Sequence, residues 1–218
     1  MPEGAAMKLK PKQKKMLIVL ICALAGMAVL IWLNSLDWES FRMPKEAAAE
    51  SVRRKDIKFA EPDWEYDIYE DEAWLDKNRY IAYTEGAQTT VITDGQYKRF
   101  GPGIELLAKY FEAVMAGDAD VIDGMYTPGL LEEKGETPDF TMQRVYNIEV
   151  ELQSEKTLES GKFYGAKQYF YLVKYMIMKN DGTFRTDEGS DAAVPLLFEI
   201  IYDDEARINS ITGYRYVN

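Results

Sequence analysis

IELLAKYFEAVMAGDADVIDGMY, residues 104–126, is the most regular stretch of this chain. Ile104, Leu107, Phe111, Val114 and Met115 recur at spacings of three and four, which puts them on one face of an amphipathic helix. Gly101-Pro102-Gly103 breaks the chain just ahead of it, and Gly117 stops it. Asp118 or Asp120 then caps a short second helix carrying Val121, Ile122 and Met125. Everything downstream has the pattern of strands. Val145–Leu152 alternates between two faces, and Phe163–Lys179 is long and rich in tyrosine. Ala193–Tyr202 and Arg207–Val217 follow, separated by Asp203-Asp204-Glu205, while Asn180-Asp181-Gly182 is a tight-turn signal. Upstream, Tyr80–Thr84 and Thr89–Thr93 read as short strands around Glu85-Gly86, and Asp94-Gly95 as a turn. This order predicts an α+β domain over residues 79–218, with two or three helices laid on one face of a curved antiparallel sheet.

At the other end, Met16–Leu33 (MLIVLICALAGMAVLIWL) runs for eighteen residues without a charge. At helical rise it spans about 27 Å, close to the hydrocarbon thickness of a bilayer. It is apolar on every side, whereas a core helix would show a stripe. Ala23-Leu24-Ala25 matches a signal-peptide cleavage pattern, but Gly26–Leu33 continues apolar beyond it, so the expectation is a retained membrane helix. Ile21 before Cys22 argues against a lipidated cysteine, which would follow a small residue. Lys8, Lys10, Lys12, Lys14 and Lys15 precede the run, and Asn34, Ser35, Asp37 and Glu39 follow it. Positive charge stays inside, so the expected topology is single-pass in the cell membrane, amino terminus cytoplasmic and remainder extracytoplasmic. Trp32 and Trp38 bracket the outer boundary. The expected organisation is a tail over 1–15, the membrane helix over 16–33, an acidic stalk over 34–78 and the folded domain beyond.

Charge and composition narrow the partners. Five of the 26 basic residues and one of the 37 acidic residues precede Met16, which leaves residues 34–218 with a net charge of −15. Such a surface repels phosphate backbones and anionic headgroups, so nucleic acid is not an expected partner. The chain has no histidine, which removes imidazole-dependent triads and most zinc sites. Its one cysteine lies in the apolar run, so no disulfide forms within the domain, which must stand on its own core. Glu61–Asp76 (EPDWEYDIYEDEAWLD) holds eight acidic residues, no basic ones and four aromatics. Either it is a solvated stalk whose Trp64, Tyr66, Tyr69 and Trp74 pack on the neighbouring domain, or a motif whose aromatics dock a basic partner. Its spacing lacks the glycine turn and terminal glutamate of an EF-hand.

The stretch Tyr110–Tyr126, a long helix ending in an aliphatic-Gly-Asp step followed by a short second helix, resembles the nuclear transport factor 2-like superfamily. The resemblance covers about residues 98–218 and implies a cone formed by a strongly bent sheet. That superfamily includes isomerases, dehydratases, carrier-binding proteins and structural domains, so fold does not fix activity. The layout is also similar to that of bitopic inner-membrane components of type IV secretion and conjugation machines, without the Asn-Pro-x-Gly turn of their Gram-negative members.

Enzymes of that superfamily work in the cone cavity with a carboxylate and phenol donors. Glu199 is the acid best placed for such work, since it shares a strand face with Leu197 and Ile201. Tyr169, Tyr171 and Tyr175 share a face of their strand with Val173 and Ile177, and are either phenol donors, an outer docking face or ordinary core. The sequence names no catalytic residue, no cofactor and no metal ligand. The expected function is a membrane-anchored extracytoplasmic protein-interaction module of a bacterial envelope assembly, resembling conjugation or secretion systems. Its partners would be other envelope proteins or a second copy of itself, met through Tyr169, Tyr171, Tyr175, Glu199, Trp64 and Trp74. The alternative is capture of a lipid, peptide or cell-wall fragment in the cone. An enzyme predicts a closed pocket with a perturbed acid, a binder a pocket without one, and a scaffold a filled cone with an exposed apolar patch.

Overall fold

The computed structural model describes residues 57–93 and 95–217. The tail over 1–15, the apolar run Met16–Leu33 and residues 34–56 lie outside the described residues. Among the described residues no helix is long and apolar enough to cross a membrane. The longest, Pro102–Ala116, would reach only about 22 Å and carries Glu105, Lys109 and Glu112. For the described residues the fold class is therefore corrected to a mixed α+β domain, in which no helix is long and apolar enough to cross a membrane.

That helix, α2, follows the four-residue helix α1 (Glu72–Leu75) in the chain. Gly101 enters α2 at φ 101°, Pro102 takes its first position, and Gly117 ends it in the left-handed region at φ 71°. Its face toward the sheet is wider than the predicted stripe: Leu106, Tyr110 and Ala113 are buried beside Ile104, Leu107, Phe111 and Val114. Asp118 caps α3 (Ala119–Asp123) by accepting from the Val121 N–H at 3.0 Å. A third short helix, α4 (Pro128–Lys134), completes the segment.

One six-stranded sheet carries the rest, in the order β2-β1-β3-β4-β5-β6. The strands are β1 (Ile81–Glu85), β2 (Gln88–Ile92), β3 (Arg144–Thr157), β4 (Lys167–Met178), β5 (Leu196–Asp203) and β6 (Ile208–Tyr216). All neighbours are antiparallel except β1 and β3, which run parallel with Ile81 opposite Ile148. The expected antiparallel sheet is thus corrected to a mixed one. Between β2 and β3 the chain passes through α2, α3 and α4, and a crossover of that length brings β3 beside β1 in the same direction. Bulges break the register between Tyr146 and Glu149, between Leu152 and Ser154, and between Glu199 and Ile200. They bend the long strands around α2. The first, with Asn147 at φ 49°, also resets the alternation of β3, so that Val145 is as buried as Ile148 and Val150.

Residues 57–78 belong to the same compact unit as the sheet. Trp74 is fully buried and donates its indole N–H to the Val145 carbonyl at 2.9 Å. Asp71, 7% exposed, accepts from the Trp74 N–H, from Arg144 Nε at 3.0 Å and from Lys179 Nζ at 3.2 Å. Burial pushes its carboxyl up, but the hydrogen bonds from Lys179 and Trp74, with the charges of Lys179 and Arg144, outweigh that and hold it below the usual carboxylate value. Further along, Ala60 N–H donates to the Asn180 carbonyl at 2.9 Å.

Candidate functional site

The face of the sheet that meets α2 is largely filled. Tyr171 lies so close to the helix that a Cβ on Gly103 would stand 2.6 Å from its ring, which explains the glycine. Tyr169 stacks on Tyr171 at 6.0 Å, Phe111 meets Tyr175 edge-on at 5.0 Å, and Tyr110 meets Phe198 at 5.3 Å. The three candidate tyrosines of β4 therefore come together, on the inner face. Glu199 lies on the other side of the sheet, because Phe198 and Ile200 take the inner positions of β5. There it accepts from Gln168 at 3.4 Å and pairs with Arg215 at 3.5 Å. Trp74 is enclosed elsewhere, under the Arg79 guanidinium at 4.9 Å, and Trp64 is 62% exposed. The six candidate residues thus do not form one site.

At one end of the inner face the packing leaves a cavity of about 160 Å³. Rings of Tyr110, Tyr126, Tyr175, Tyr214 and Tyr216 line it, and the connection between β4 and β5 contributes Arg185. Its Asn-Asp-Gly opening turns locally, with Asn180 Oδ1 accepting the Gly182 N–H at 3.0 Å and Gly182 at φ 75°, but the connection then runs on to Leu196 before β5 begins. Asn180 is fully buried, and its side-chain amide donates to the carbonyls of Arg185 (3.1 Å) and Glu188 (2.8 Å), which ties residues 180–188 into an ordered loop. Arg185, 5% exposed, reaches inward over the Tyr175 ring at 4.9 Å and the Tyr216 ring at 5.7 Å. Asp187 binds the guanidinium through Nε at 3.0 Å and through Nη2, while Glu188 Oε1 stands 3.2 Å from Nη1.

Glu188 is the one carboxyl here that is strongly perturbed. Burial pushes it up to about 7, Arg185 pulls it back only in part, and Asp187 adds to the rise. Because the folded value lies above the unfolded one, this group's contribution is fully present at acid pH and is lost as pH rises toward 7. Glu188→Gln is therefore expected to flatten the stability profile between about pH 4.5 and 7.5, and to stabilise the chain at pH 8 by at most on the order of 2–3 kcal/mol. Urea midpoints read by circular dichroism across that range check it; a destabilised variant at pH 8 would refute the assignment.

A second concavity, about 260 Å³, opens between β1 and α2. Its floor is apolar, from Ile81, Ala108, Phe111 and Ile148, and its rim carries Tyr69, Tyr80, Arg79 and Glu112. Tyr69 is 50% and Tyr80 38% exposed. Phe111 joins the two concavities, since its other edge faces Tyr175.

Among the described residues no group of three or more histidine, cysteine or acidic side chains is arranged to hold a metal. No protein-family model and no curated protein matches the chain. Sequence reasoning missed Arg185, Tyr110, Tyr126, Tyr214 and Tyr216. The available signals were a lone base inside the acidic run TFRTDEGSD and the alternation of Tyr214 with Tyr216.

Proposed function

We propose that residues 57–217 act as a protein-interaction module of an envelope assembly, docking a partner chain in the groove between β1 and α2. The groove itself carries the reading: an apolar floor under a rim of half-exposed tyrosines and charges of both signs is the anatomy of a recognition surface. The filled inner face supports it too, because α2 occupies the space where a roomy substrate cavity would lie. The partner is a chain segment with an apolar side chain for the floor and basic neighbours, since the adjoining segment Glu61–Asp76 holds eight acidic residues and no basic one. Membership of the nuclear transport factor 2-like superfamily belongs to the same proposal, supported by one long helix lying across a single bent sheet.

Photo-cross-linking in cells tests it, with a benzophenone side chain at Tyr80 and, as control, at Tyr164 in the turn between β3 and β4. The expected result is an adduct of one defined mass at position 80, absent at 164, and lost when Tyr69→Asp is added. Equal capture at both positions, or capture indifferent to Tyr69→Asp, would remove the groove as the docking site.

A further inference from the structure

We propose that the cavity beneath the β4–β5 loop binds a small neutral aromatic ligand bearing one hydroxyl, a phenol, with the Tyr175 hydroxyl and the Arg185 guanidinium as its polar anchors. Tyr175 is 1% exposed, and its hydroxyl makes no well-aligned hydrogen bond within the protein, with the Arg185 guanidinium as its one polar neighbour of opposite capacity. Arg185 Nη1 is also buried without a hydrogen bond, facing Glu188 Oε1 at 3.2 Å in an unaligned ion pair. Both residues line the cavity. Buried donors left this way are costly, and a bound acceptor would offset that cost.

The other buried polar groups at the wall have neighbours of their own, and Glu136 lies exposed at its edge. The hydroxyls of Tyr110, Tyr126 and Tyr214 face one another, and that of Tyr216 faces Asp187. Thr137 Oγ1 donates to Asp123 at 2.5 Å. Within the buried part of the wall the free polar capacity is thus one small cluster, enough for a single oxygen. A sugar would bury several hydroxyls without partners.

Charge decides the rest. Asp187 and Glu188 already face Arg185, so an anion would enter beside two carboxylates sharing one guanidinium. A cation would compete with Arg185 over Tyr175 and with Lys134, which stands 5.4 Å over the Tyr214 ring. A neutral molecule avoids both costs. The volume, about 160 Å³, matches one six-membered ring, since an apolar cavity of roughly 150 Å³ takes up benzene. Rings of Phe140 and Phe184, 4.7 Å apart, close the apolar side.

The test is titration of the full chain with 4-methylphenol, toluene and 4-methylbenzoate, followed by calorimetry and by chemical-shift changes in the tyrosine rings. The phenol is expected to bind about tenfold or more tightly than toluene, the worth of one hydrogen bond to a charged donor, and the benzoate not to bind. Tyr175→Phe, which removes only the neutral anchor and leaves Arg185, should fold normally and lose a measurable part of that preference while keeping its toluene affinity. Tyr69→Asp in the groove should leave phenol binding unchanged, so this result is independent of the docking proposal. Equal binding of phenol and toluene, benzoate binding as tightly as phenol, no binding at all, or a Tyr175→Phe variant with the full preference would each overturn it.

Discussion

Trp74→Ala is expected to destabilise the chain by about 3–5 kcal/mol, whereas Trp64→Ala, ten residues earlier, is expected to stay within about 0.5 kcal/mol. Both tryptophans sit in the same acidic stretch, Glu61–Asp76. Trp74 has no exposed surface, packs edge-on against Tyr69 at 5.6 Å and under Arg79 at 4.9 Å, and satisfies the Val145 carbonyl. Truncation leaves a cavity and an unpaired carbonyl at the start of β3. The Asp71 carboxylate, which accepts the backbone N–H of residue 74 and holds Arg144 and Lys179, keeps those partners in the variant, so the cost lies in the lost ring and its indole bond. Trp64 is 62% exposed and has little to lose. Urea denaturation of both variants, followed by circular dichroism, separates the cases. Equal midpoints would mean that residues 57–78 contribute nothing to the core.

The contrast marks how far the sequence could be read. Helix α2 was legible because Ile104, Leu107, Phe111 and Val114 repeat at helical spacing and glycines bound it on both sides. The β1–β2 hairpin was legible from two short apolar runs around Glu85-Gly86. Parallel pairing of β1 with β3 was not, because pairing across a crossover of helices leaves no local trace. The bulge at Asn147 was hidden as well: a strict alternation puts Val145 and Ile148 on opposite faces, and only the positive φ of Asn147 brings both inward. For the site, spacing of two and four put Tyr169, Tyr171 and Tyr175 on one face, but not on which side α2 would lie. The same uncertainty left open which side Glu199 would take; it shares the outer side of the sheet with Leu197 and Ile201, while Phe198 and Ile200 face inward. Asn180-Asp181-Gly182 was legible only as a local turn, made by Asn180 Oδ1 and the Gly182 N–H. The loop after it was not, because it is held by the Asn180 amide donating to the Arg185 and Glu188 carbonyls.

Arg185→Met is expected to cost about 3–5 kcal/mol at pH 8, since it leaves two carboxyls without their cation. Asp187 and Glu188 are 11% and 0% exposed at their side chains, and neither can turn to water without unpicking the loop that Asn180 holds. Methionine keeps most of the arginine's apolar volume between the Tyr175 and Tyr216 rings, so lost packing accounts for little of the effect. The cost should depend on pH in a defined direction. Glu188, already pushed up to about 7 with Arg185 present, rises further without it, so near pH 5.5 it takes a proton and one of the two uncompensated charges disappears. The same substitution should therefore cost clearly less at pH 5.5 than at pH 8, and Arg185→Met with Glu188→Gln should recover much of the loss at pH 8. Denaturation midpoints of the two variants at both pH values decide it. A cost that is equal at the two pH values would mean that the guanidinium acts through packing against the tyrosines, and that its ion pair with Glu188 contributes nothing.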